Sequence, residues 1–166
     1  MLLGMTMPVA IALSLPSNDD MIETNLPPPS GRETYRELLP ALIGGEPPTI
    51  RTLPPGSGLV GARAVYGMHA SIDIVLATRA SDLDAFVREH VRARLEAYET
   101  RSSGKIDGIW KLRGHGRAGR LHGWQNRLWL FVIEARDDAL FDEVVDRFAF
   151  VERKRGWART MQPSGG

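Results

Sequence analysis

The chain predicts an α+β domain preceded by an extended, proline-rich arm, and three observations carry that expectation. Ten of its eleven prolines fall within the first 55 residues, and none occurs between Gly56 and Gln162. Proline fixes one backbone dihedral and removes a donor, so the leading third cannot form an ordinary helix or central strand. Beyond Ala62 the apolar residues recur first every second position and then every third or fourth, which are the periods of a strand and a helix. At 166 residues the chain suits one domain with a full core.

The arm, residues 1–58, opens on the apolar run MLLGMTMPVAIALSLP. Ala10-Ile11-Ala12 has the small-residue character of a cleavage site, but no Lys or Arg precedes Arg32, so the basic leading region of a secretory signal is missing. The run is also too short to span a bilayer. An apolar arm that packs on its own domain or on a neighbour is the expectation, favouring a cytoplasmic chain over an exported one that carries a truncated signal. Pro27-Pro28-Pro29, Pro47-Pro48 and Pro54-Pro55 then predict extended connector. Ser30 to Glu33 has capping-box spacing, with Tyr35, Leu38, Leu39 and Leu42 on one helical face and Pro40 limiting the length. The segment Thr49–Leu53 is placed to supply an edge strand.

Residues 59–152 form the expected domain. Met68, Ala70, Ile72, Ile74 and Leu76 alternate with His69, Ser71 and Asp73, the mark of a strand with one buried and one polar face. Ser81 is placed to cap a helix with the stripe Leu83, Phe86, Val87, Val91, Leu95 and Tyr98. A second strand over roughly 105–113 leads into a glycine-rich turn. A third, over 127–136, is apolar on both faces and therefore central. Asp137 or Asp138 caps a closing helix with the stripe Leu140, Phe141, Val144, Val145 and Phe148, and residues 153–166 form a basic, then polar tail. Strand, helix, strand, strand, helix is the split β-α-β-β-α order of ferredoxin-like sandwiches, lacking the last strand.

Composition excludes more than it assigns. There is no cysteine, hence no disulfide, thiolate metal site or cysteine nucleophile. The net charge of +1 gives no global pull towards nucleic acid or membrane. Charge is uneven, however: residues 1–62 hold three arginines against six acids, leaving the remainder positive.

The most suggestive segment is WKLRGHGRAGRLHGWQNR, residues 110–127, with five cations and no acid. Arginine forks match phosphate or carboxylate, glycines let backbone N–H groups approach an anion, and tryptophan offers a stacking face. Arg113, His115, Arg117, Arg120, His122 and Trp124 are therefore the candidate anion- or ligand-binding residues. The run Gly114 to Gly119 spells G-x-G-x-x-G, but the dinucleotide fingerprint needs a helix directly after it, and here another strand follows. His69, Ser71 and Asp73 are the residue types of a nucleophile triad, yet alternate strand residues stand about 6.6 Å apart, too far for its hydrogen bonds. His69-Ala70-Ser71-Ile72 resembles one half of the paired His-x-Ser/Thr signature of two-histidine phosphoesterases, and the second half is lacking. No HExxH or H-x-x-x-H spacing is present, and His90 sits on or beside the apolar stripe of the first helix. Neither a metal nor a cofactor is expected.

If Leu128, Leu130 and Val132 lie under the helices, Trp129, Phe131 and Ile133 face the other side of the sheet and form the candidate interface. A protein partner, a second copy of the chain, a ligand or the arm itself would cover them. The expected function is a non-enzymatic interaction or assembly module that acts through a sheet surface and the arm. The alternative is an anion-binding enzyme or single-stranded nucleic-acid module centred on residues 110–127.

Overall fold

Two apolar strands lie at the centre of the molecule, Ala70–Ala77 (β4) and Trp129–Ala135 (β8), antiparallel with Ile72 opposite Ile133 and Ile74 opposite Phe131. The computed structural model describes residues 22–54 and 58–154. Around this pair a seven-stranded antiparallel sheet extends outward. On one side Leu59–Tyr66 (β3) pairs with β4, and Thr49–Thr52 (β2) forms the edge. On the other side Gly119–Asn126 (β7), Ile109–Gly116 (β6) and Thr100–Ile106 (β5) follow by successive hairpins.

Helices cover opposite faces of this sheet. Ala80–Phe86 (α2), a π turn over Val87–Val91 and Arg92–Leu95 (α3) form one continuous helical run. It buries Leu83, Val87, Val91 and Leu95 against Val75, Leu112, Leu121, Leu130 and Val132. Asp138–Arg147 (α4) lies on the other face and buries Phe141, Val144 and Val145 against Ile72, Ile74, Phe131 and Ile133. The Asp137 carboxylate accepts from Leu140 N at 2.9 Å and caps α4, so of the two expected candidates, Asp137 and Asp138, it is the first that serves.

The ferredoxin-like expectation is thus corrected: the molecule is a mostly-sheet α+β protein built on seven antiparallel strands. Three strands of this sheet escape the pattern reading. β3 and β7 carry glycine, arginine and apolar residues in mixed order, and β5 is polar and exposed along nearly its whole length. The β5–β6 turn is Asp107-Gly108, both with positive φ (52° and 76°), the conformation of a type I′ hairpin turn. The helical run also starts without its expected cap, at Ala80 after Arg79, with no side-chain bond from Ser81.

Of the arm, residues 22–54 and 58 are described; its buried side chains from Ile22 to Ile43 pack on the face that carries α4, while Leu53 packs on the α2–α3 face. Ile22–Glu23 (β1) pairs with Glu152–Arg153 (β9), and Tyr35–Leu38 (α1) is a single helical turn. Its capping box is Thr34 with Glu37, which accepts from Thr34 N at 2.7 Å; the expected pair also forms, Ser30 N donating to Glu33 at 3.0 Å, but it precedes the helix instead of capping it. Leu38, Leu39 and Ile43 join the core, and Gly44 N donates to Glu143 on α4 at 3.2 Å. The expected edge strand is present as β2. The opening run 1–21 and the tail beyond 154 lie outside the described residues. Among the described residues no helix is long and apolar enough to cross a membrane.

Candidate functional site

The basic hairpin exists, and its strands are β6 and β7. Register sets Arg113 opposite His122 and His115 opposite Arg120, with Trp124 opposite Lys111, so these residues share the α4 face of the sheet. Their surroundings differ from an open anion cradle. Trp124 is fully buried, stacked on Phe131 at 5.3 Å between centroids and edge-on to Phe148 at 6.3 Å. His122 is buried with its ring 5.6 Å from Trp124. Arg120 is 4% exposed, lies 4.0 Å over the Phe141 ring and pairs with Asp138 at 3.5 Å. His115 is exposed and stands 3.8 Å from the same Asp138, while Arg113 is half-buried. Arg117 sits on the exposed two-residue turn, where its backbone N–H donates to Glu99. The G-x-G-x-x-G run is this same hairpin, with β7 directly following.

The candidate interface is covered largely from within the chain. Phe131 and Ile133 are buried beneath α4, Phe148 and the arm. Trp129 stays half-buried, in a cross-strand row with Leu76 and the 65%-exposed Val60. His90 is exposed, its ring 5.0 Å from Phe86, rather than packed in the stripe.

The strand that carries Ser71 and Asp73 has no wet face. Both residues are buried on the side of the α2–α3 run, because β4 is covered on both faces. There the sequence reading missed a charged cluster. Arg94 of α3 reaches Asp73 at 2.7 Å and Glu134 at 3.4 Å. Arg63 of β3 stands 3.7 Å from Asp73 and donates to Ser71 Oγ at 3.0 Å and to Glu134 at 3.2 Å. Tyr98 completes the group by donating to Glu134 at 3.2 Å. Burial raises the Asp73 carboxyl to about 7, with Arg63 opposing and the Glu134 charge reinforcing. The close Arg94 guanidinium pulls in the same direction as Arg63. Burial likewise raises the Tyr98 phenol. The signal that could have exposed the cluster is two acids, Asp73 and Glu134, set inside otherwise apolar strands, since a buried carboxylate calls for cations. Among the described residues no group of His, Asp and Glu is arranged to hold a metal ion.

A groove of about 720 Å³ lies between the arm and the sheet edge. Tyr35, Leu39, Pro40, Pro47, Pro48 and Ile50 line it, with Arg36 at its margin. Beside it runs β2, whose outer edge pairs with no other strand among the described residues. Leu53 N donates inward to Gly61 O at 2.9 Å. Paired and open positions alternate along an antiparallel ladder, so Arg51 and Thr49 also turn inward while Ile50 and Thr52 direct their N–H and C=O groups outward.

Compared with protein-family models, curated proteins and solved structures, the chain matches none.

Proposed function

We propose that the chain is a protein-interaction module that holds an extended segment of a partner protein along β2, with the segment's apolar side chains in the arm groove. The observation that carries this reading is the coincidence of an open sheet edge with an apolar, proline- and tyrosine-lined groove on the same strand. Adding a strand to a sheet edge draws affinity from main-chain hydrogen bonds and specificity from pockets for alternate side chains. Ile50 supports both functions: its backbone faces outward and its side chain lines the groove. Arg36, in the groove lining, favours an acidic residue among the groove-facing side chains of the bound segment. Pro48 and Pro54 bracket the strand, which keeps the pairing short and discourages edge-to-edge joining of whole sheets.

The test is selection of displayed random peptides on the full chain, followed by measurement of each binder against a Thr52→Pro variant. Proline is tolerated on a strand edge where the N–H faces solvent, so the fold should persist while one outward donor is lost. Binding should weaken about tenfold, the value of roughly one hydrogen bond. Binders insensitive to Thr52→Pro and to Tyr35→Ala would overturn the reading. Self-association through β2 would show instead as a concentration-dependent dimer that Thr52→Pro abolishes.

A further inference from the structure

On the opposite face from the groove, a second cavity of about 310 Å³ opens at the β3–β4 turn. The geometry points to a binding site here for a small oxyanion, a carboxylate or a phosphate, held by the Arg63 guanidinium. Arg63, Ser71 and Glu134 line it together with Tyr98, His69 and Arg136. At about 30 Å³ per water-sized group, it admits a ligand of roughly ten heavy atoms.

The balance of donors and acceptors selects the ligand. Among the described residues Glu134 is the only carboxylate in the lining, and its oxygens are already engaged by Arg63, Arg94, Tyr98 and Ser71. It therefore has little left to offer a cation. Arg63 is in the opposite condition. Its bonds to Ser71 and Glu134 both use Nη2, whereas Nη1 lies 3.7 Å from Asp73, beyond hydrogen-bond reach, and Nε makes no hydrogen bond. Among the described residues the Nε and Nη1 groups thus make no hydrogen bond, Nη1 keeping only its longer ion pair with Asp73, on a side chain that is 38% exposed. Arg136 adds a second cation at the rim, its side chain 56% exposed and, among the described residues, approached by the Asp137 carboxylate at 3.8 Å. His69 adds a buried Nδ1 without a hydrogen-bond partner. A planar or tetrahedral oxyanion supplies the paired acceptors that an arginine fork fits.

The experiment follows the side-chain Nε resonances of Arg63 and Arg136 in the full chain as sodium acetate or inorganic phosphate is added at constant ionic strength. A saturable shift of Arg63 with either anion supports the site and identifies which oxyanion it prefers. Arg63→Lys, which keeps the charge and loses the fork, should weaken that binding at least about tenfold. Arg136→Gln should weaken it less and leaves the cluster beneath intact, so it serves if Arg63→Lys does not fold. Absence of saturable binding in the unaltered chain, or equal binding in both variants, would overturn the proposal. Neither result bears on the arm groove, which lies on the other face.

Discussion

Tyr66, fully buried on β3, donates its phenol O–H to the carbonyl oxygen of Pro40 in the arm at 2.8 Å. That bond fixes the turn after α1 against the sheet and so sets one wall of the arm groove. Burial also raises the Tyr66 phenol, which stays a neutral donor. Tyr66→Phe leaves the Pro40 carbonyl buried without this partner and should lower unfolding stability by about 1 to 2 kcal/mol. Urea denaturation measures the loss, and an unchanged midpoint would mean the arm is not held this way.

Asp73 makes stability depend on pH with a definite sign. Its carboxyl is raised from 3.8 to about 7 on folding, so the folded chain keeps a proton that the unfolded chain releases. The contribution is complete below about 3.8 and is lost as pH rises through about 7. The Arg94 guanidinium, 2.7 Å from the carboxylate, reduces that loss. Asp73→Asn should therefore flatten the stability profile between pH 5 and 8 relative to the unaltered chain. Parallel profiles would contradict the assignment.

Trp124 separates a packed core from a stacking platform. Its indole is enclosed by Phe131, Phe148 and His122, so Trp124→Ala should cost about 3 to 5 kcal/mol. A near-neutral result in thermal denaturation would return the residue to the surface, where a ligand could reach it.

Gly114 faces the Tyr98 ring so closely that an added Cβ would stand 2.7 Å from it. Gly114→Ala should therefore destabilise by about 1 to 3 kcal/mol. It should also displace the Tyr98 phenol from Glu134, visible as a change in tyrosine absorbance at high pH.

These contacts explain what was legible in the sequence. The stripes of the α2–α3 run and α4, the Asp137 cap, the centrality of β8 and the edge strand at Thr49 follow from patterns local to each segment. The sheet's width does not. β5 presents TRSSGKI, with no apolar face, because it lies at an edge with both faces largely in solvent. β7 hides its strand character because Gly123 stands where Leu112 needs room, while Arg120 spends its charge on Asp138 and the Phe141 ring. Asp73 looked like part of a wet face because its partners come from elsewhere: Arg63 on β3, Arg94 on α3 and Glu134 on β8. The arm groove was equally hidden, since it arises only when Pro40 and Pro47 are folded back beside Ile50.

Amide hydrogen exchange along β2 bears most directly on the peptide-holding role. In the free chain Arg51 and Leu53 should exchange slowly and Ile50 and Thr52 fast; a selected peptide should slow Ile50 and Thr52. Protection of all four amides without peptide, or no change at Ile50 and Thr52 with it, would contradict the account.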